Sequence, residues 1–109
     1  MENMTLREMC DAVNVSRRAV QGYEKAGLVS ASGKNERGYL LYDINSRERI
    51  KRIKFFQELG FTLREIKDII DAPNCVLKAA LKERIDEIKK EGEHMEVLIG
   101  KANELMERL

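Results

Sequence analysis

TLREMCDAVNVSRRAVQGYEKAGLVSASGKNERGYLLY, residues 5–42, is the stretch that decides the fold. It opens on Thr5-Leu6-Arg7-Glu8, a capping box in which the Thr hydroxyl takes the Glu8 amide and the Glu8 carboxylate returns to the Thr5 amide. Leu6, Met9, Cys10 and Val13 follow at helical spacing, so a short first helix with an apolar stripe is predicted. Asn14-Val15-Ser16 supplies a turn and a new cap at Ser16. A second helix then runs from Arg17 to about Ala26, with Ala19, Val20 and Tyr23 facing inward and Gly27 placed to end it in a left-handed conformation. Two short helices joined by so few residues favour the steep crossing of a helix-turn-helix over a long antiparallel hairpin. Beyond them, Leu28-Val29 and Tyr39-Leu40-Leu41-Tyr42 are β-prone runs separated by the polar segment 30–38, which predicts a hairpin wing with a mobile tip.

Downstream the pattern is helical throughout. Asp43 or Asn45 can cap a third helix with the stripe Ile50, Ile53, Phe56 and Leu59, ended by Gly60. Thr62-Leu63-Arg64-Glu65 repeats the capping box and starts a fourth helix through Ile66, Ile69 and Ile70. That helix must stop before Pro73, because a proline ring blocks the preceding turn. From Val76 one long helix is predicted. Ile85, Gly92, Ile99 and Met106 occupy its a positions, and Leu81, Ile88, Met95, Ala102 and Leu109 its d positions. A heptad seam of this length needs a partner helix, most simply from a second copy of the chain. The alternative, a helix folded back on its own domain, is opposed by the sustained heptad and by the lack of a return loop. The expected organisation is a mainly α protein. Residues 1–72 form a winged helix-turn-helix head of four helices and a small β-hairpin, and residues 73–109 form a coiled-coil dimerisation helix whose contacts are Leu81, Ile85, Ile88, Met95, Ile99, Ala102 and Met106.

Composition bounds the function. The 109 residues suffice for one modest core, and the net charge of +1 favours no partner class. Its distribution does: residues 1–56 carry 11 Lys+Arg against 7 Asp+Glu, and residues 57–109 carry 9 against 12. The basic half holds the helix-turn-helix, as phosphate binding requires. The N-terminus lacks the basic flank and apolar run of a signal peptide, and no apolar segment approaches the roughly 20 residues that span a bilayer, so the cytosol is the expected compartment and no membrane is involved. Cys10 and Cys75 lie far apart with no CxxC and no Cys/His cluster, and His94 stands alone on a charged helix. No metal site, no cofactor and no disulfide framework are expected. There is no Gly-rich phosphate loop and no nucleophile elbow, and an enzyme is not expected.

Cations and amides near the start of a recognition helix suit the major groove, since Arg reaches phosphates or guanine edges and Gln pairs with adenine. Arg17, Arg18 and Gln21 fall there. Tyr23 is expected to share its role, ring in the core and hydroxyl free to reach a phosphate; Tyr39 and Tyr42 follow the same logic at the wing base. Lys34 and Arg37 are long cations on the wing tip, suited to phosphate or minor-groove contact.

Thr5-Leu6-Arg7-Glu8, Val15-Ser16-Arg17-Arg18, Tyr23-Glu24-Lys25-Ala26-Gly27-Leu28-Val29, Gly38-Tyr39-Leu40-Leu41-Tyr42 and Leu59-Gly60-Phe61-Thr62-Leu63-Arg64-Glu65-Ile66-Lys67, taken as an ordered set, resemble the mercury-resistance-regulator (MerR) family. The resemblance implies a homodimer joined by an antiparallel coiled coil, two winged heads on pseudo-palindromic double-stranded promoter DNA, RNA polymerase as a partner there, and transcriptional control by bending and untwisting the DNA. This chain departs from the family pattern where an Arg-Tyr pair usually precedes Tyr23-Glu24, here Gln21-Gly22, and where the wing usually reads Gly-Tyr-Arg, here with Leu40. Metal sensors of the family place a cysteine near Cys75 and others in a loop past the long helix. Two further readings stand beside the regulator: a coiled-coil interaction module on a winged-helix scaffold, and the DNA-binding fragment of a larger ligand-sensing regulator.

Overall fold

A computed structural model describes residues 3–109, and the chain divides after Asp71 into two units. The first holds β1 (Met4–Thr5), α1 (Leu6–Val13), α2 (Arg17–Lys25), β2 (Gly33–Lys34), β3 (Leu40–Tyr42), α3 (Ile44–Glu58) and α4 (Leu63–Ile69). The second is a single helix, α5 (Asn74–Arg108).

Local chemistry sets the helix ends. Thr5 and Thr62 both form complete capping boxes, with Glu8 and Glu65. The Ser16 hydroxyl accepts the Ala19 amide at 3.0 Å and opens α2. Asp43 caps α3 through the Ser46 amide at 2.8 Å, which decides between the two candidate caps. Asn14 adopts φ 59°, the left-handed turn between α1 and α2, and Gly27 and Gly60 follow α2 and α3 at φ 77° and 104°. Thr5→Ala removes one half of a box and leaves the Glu8 amide without its acceptor. The expected cost is about 1 kcal/mol of head stability, read as a lowered urea midpoint with unchanged slope.

The sheet differs from the expected hairpin. β3 is its central strand, in the order β1-β3-β2 with both pairings antiparallel: Met4 opposite Tyr42, Thr5 opposite Leu41, Gly33 opposite Leu41 and Lys34 opposite Leu40. Leu28-Val29 is therefore not a strand. After the left-handed turn at Gly27, Leu28 drops into the core at 2% exposure and its carbonyl accepts from the Arg49 guanidinium, which leaves the wing edge to Gly33-Lys34. The tip also has an internal order absent from the expectation. The Asn35 side-chain oxygen accepts the Arg37 and Tyr39 amides, each at 3.0 Å, and the Gly38 amide closes onto the Asn35 carbonyl at 3.0 Å.

Met9, Val20, Tyr23, Leu28, Tyr42, Ile50, Ile53, Phe56, Ile66, Ile69 and Ile70 form the core of the head. α1, α2, β3, α3 and α4 all contribute, and α3 supplies three of these residues, Ile50, Ile53 and Phe56. α5 begins two residues before the predicted Val76, with Pro73 at its N-cap, and includes Cys75. It has no buried residue.

Candidate nucleic-acid interface

α2 presents its first turn to solvent. Arg17, Arg18 and Gln21 are exposed, while Val20 and Tyr23 on the opposite face are buried, so the cap at Ser16 and the core contacts fix which side of the helix looks outward. The first turn carries no acidic residue, and its free amides add to the positive end of the helix dipole. The turn leading into it is held from behind: Lys54 on α3 donates to the Asn14 carbonyl at 2.6 Å. Lys54 was not singled out in the sequence, where it reads as an ordinary charged position on a helix surface.

The expectation of a free hydroxyl on Tyr23 is not met. The ring is buried at 2% exposure and the hydroxyl donates to the Gln57 side chain at 2.6 Å. Tyr42 is fully buried and its hydroxyl donates to the Glu24 carboxylate, and burial together with that acceptor pushes the phenol well above its usual range. Both rings anchor α2 to what lies behind it: Tyr23 joins it to α3, and Tyr42 joins it to β3. Tyr39 is different, exposed at 57% beside the wing tip that carries exposed Lys34 and Arg37.

A cleft between helix and wing is lined by Thr5, Leu6, Arg7, Arg17, Gly38, Tyr39 and Leu40. It brings together Arg17 and Tyr39, which sequence reasoning named, and Arg7, which it did not. In the sequence Arg7 is only the interior of a capping box; the β1–β3 pairing carries it to the wing. Leu40 gives this cleft an apolar wall where a cation would give it a phosphate contact.

The edge of the head is tied by one side chain. Arg49 on α3 donates from Nε to the Leu28 carbonyl and holds the Asp71 carboxylate with both terminal nitrogens, at 2.7 and 2.8 Å. This side chain thus joins Leu28, three residues past the end of α2, to the last residue of the unit. Hydrogen bonding to Arg49 holds the Asp71 carboxyl below its ordinary 3.8. A depressed carboxylate stabilises the fold at pH above its unfolded pKa and loses that contribution as pH falls through the lower folded value. Asp71→Asn is accordingly expected to flatten the acid limb of head stability below about pH 4, as measured by urea midpoints at pH 7 and pH 3.

Among the described residues no group of three or more His, Cys, Asp or Glu is placed to hold a metal ion, and no helix is long and apolar enough to cross a membrane. A helix-turn-helix whose second helix exposes cations beside a basic wing defines a DNA-binding module of the winged-helix class.

Residues 4–73 match the model of the MerR HTH family regulatory proteins, and residues 47–105 match that of the MerR DNA-binding region. The chain belongs to the MerR family of DNA-binding transcriptional regulators. It is 34% identical over 94 residues to the HTH-type transcriptional activator mta of Bacillus subtilis, a match that covers 86% of this chain and 37% of that protein. The crystal structure of MtaN, the N-terminus of that multidrug transporter activator, superposes with a TM-score of 0.75 at 31% identity, covering 94% of this chain and 97% of the other. The nodulation protein NolA of Bradyrhizobium elkanii is 31% identical over 102 residues, covering 94% of this chain and 43% of NolA. The chain thus spans less than half the length of these curated relatives.

Proposed function

We propose that the protein acts in the cytoplasm as a homodimer that binds a pseudo-palindromic promoter site, distorts it, and so adjusts its use by RNA polymerase. The head of residues 1–72 is the DNA-binding domain and residues 73–109 the dimerisation domain. One observation carries the reading: Arg17, Arg18 and Gln21 are exposed on the outer face of α2 while the wing carries exposed Lys34, Arg37 and Tyr39, with a cleft joining the two surfaces at Arg17 and Tyr39. Helix residues enter the major groove, and wing residues reach the backbone or the adjacent minor groove. Tyr23 serves from behind, since its hydroxyl is engaged with Gln57. Arg7 joins the set as a cleft cation beside Arg17. Two heads on one coil place their half-sites a whole number of helical turns apart, about 34 Å or a multiple of it.

The test is a salt titration of binding to duplexes selected from genomic fragments. Binding should weaken steeply as salt rises, with a log-log slope of about −0.9 for each phosphate neutralised. Arg17→Ala with Arg18→Ala should cost on the order of 10²-fold in affinity. It should also shallow the slope by up to about two if both side chains hold phosphates, whereas a slope unchanged with specificity relaxed would assign them to bases. Binding that ignores salt would defeat the proposal.

A further inference from the structure

We propose that Asn35 is the positioning residue of the wing: its side-chain oxygen sets the backbone at Arg37 and Tyr39, and so presents both side chains to DNA in one arrangement. The inference rests on the reading of the wing as a DNA contact and adds the residue that prepares it.

The tip of the wing closes on Asn35. Its backbone amide donates to the Tyr39 carbonyl at 2.9 Å and its carbonyl accepts the Gly38 amide at 3.0 Å, which folds residues 35–39 back on themselves. Its Oδ1 accepts the Arg37 and Tyr39 amides, each at 3.0 Å, so both lone pairs of that oxygen are used. Asparagine suits the place because its side-chain carbonyl reaches the backbone two residues on. Gly38 completes the turn at φ 83°, in the left-handed region that glycine enters freely, and below the loop Lys34 pairs with Leu40. The two Oδ1 bonds come from a side chain, so a substitution can remove them and leave the backbone pair in place.

The residues held by this oxygen are the ones that need holding. Among the described residues the Arg37 and Tyr39 side chains make no hydrogen bond or ion pair, and both are exposed. No polar contact of either side chain fixes its direction, so the backbone beneath must. Charge adds a second reason. With Leu40 on the strand, Lys34 and Arg37 are the cations of segment 30–42, and the exposed carboxylate of Glu36 lies between them in sequence. A tip free to turn would offer Glu36 to the phosphates as readily as Arg37. Freezing the backbone of one residue costs about a factor of ten in an equilibrium constant, so a tip ordered in advance binds more tightly than the same side chains on a free loop.

A double-mutant cycle on duplex affinity tests the role, using the full chain and duplexes selected from genomic fragments. Asn35→Ala should weaken binding about tenfold per head while the melting transition stays where it is. In a chain carrying Arg37→Ala and Tyr39→Ala, the same change should cost less than about twofold, because the side chains it positions are gone. A purely structural role would cost the same in both. Amide exchange followed by NMR is the second readout: slow at Arg37 and Tyr39 in the parent and in Asn35→Asp, which keeps the acceptor oxygen, and fast in Asn35→Ala. Undiminished affinity in Asn35→Ala, equal losses in the two backgrounds, or slow exchange without the side-chain oxygen would each overturn the proposal and leave the DNA-binding reading standing. Unchanged affinity in the Arg37→Ala, Tyr39→Ala chain would overturn it together with the part of the wing in that reading, and a parent chain that binds no duplex would overturn both outright.

Discussion

Ile88→Asp with Ile99→Asp is expected to convert the protein to a monomer and to cut affinity for a full palindromic site by roughly 10²–10⁴-fold. Both side chains lie on the exposed seam of α5, Ile88 at 36% and Ile99 at 60% exposure, where nothing within the described chain covers them. Neither is among the buried core residues, so the head should keep its far-ultraviolet spectrum and its melting transition. The loss arises because the second head ceases to bind as an intramolecular event at high effective concentration and must bind again from solution. Sedimentation velocity reads the first effect and titration of full and half sites the second. Half-site affinity should change little. A double variant that stays dimeric, or that binds the full site as before, would refute the assignment of α5 as the dimer helix.

The second large effect belongs to the head. Ile53→Ala removes a fully buried branched side chain from α3, the helix against which α1 and α4 pack. Core deletions of this kind cost about 2–5 kcal/mol, from lost transfer free energy and the cavity left behind. For a head of this size that corresponds to a fall in melting temperature of about 10 °C or more. DNA binding at 25 °C should fall only as far as the folded fraction falls. Affinity lost while the head remains folded would show that Ile53 positions α2 directly. A melting shift of only a degree or two would show that the core around α3 is looser than its burial implies.

The parts of the fold that were legible in the sequence are those set by neighbours along the chain. A capping box is complete within four residues, so Thr5 with Glu8 and Thr62 with Glu65 could be read directly, as could Ser16 at the start of α2, the left-handed Gly27 after α2 and the stop at Gly60 after α3. Helical stripes likewise named Val20, Tyr23, Ile50, Ile53, Phe56 and Ile66 as buried. The wing was read less well. Leu28-Val29 has the β propensity, but strand pairing depends on which segment reaches the edge of β3, and the turn at Gly27 sends Leu28 inward. Two-residue strands such as Met4–Thr5 leave no periodic trace at all.

The same division runs through the candidate interface. Arg17, Arg18 and Gln21 could be named because their distance from a cap places them on the first turns of a recognition helix. Arg7, Lys54 and Arg49 could not, because each acts on a group remote in sequence: a wing cleft, the carbonyl of Asn14, and the carbonyl of Leu28 with Asp71. The tyrosines show the limit most clearly. A phenol's pattern of neighbours can predict a buried ring, but whether its hydroxyl is free depends on whether Gln57 or Glu24 is within reach.

By itself the sequence determined the helices, the caps at Thr5, Ser16 and Thr62, the family and the heptad seam, because these depend on interactions spanning a few residues or on a periodicity that survives in one dimension. Tertiary structure alone decided which strand edges meet, which tyrosine hydroxyls are already engaged, and which cations share a cleft. Those outcomes are distances between segments far apart in the chain, and they exist only once the core around Ile50, Ile53 and Phe56 has drawn those segments together.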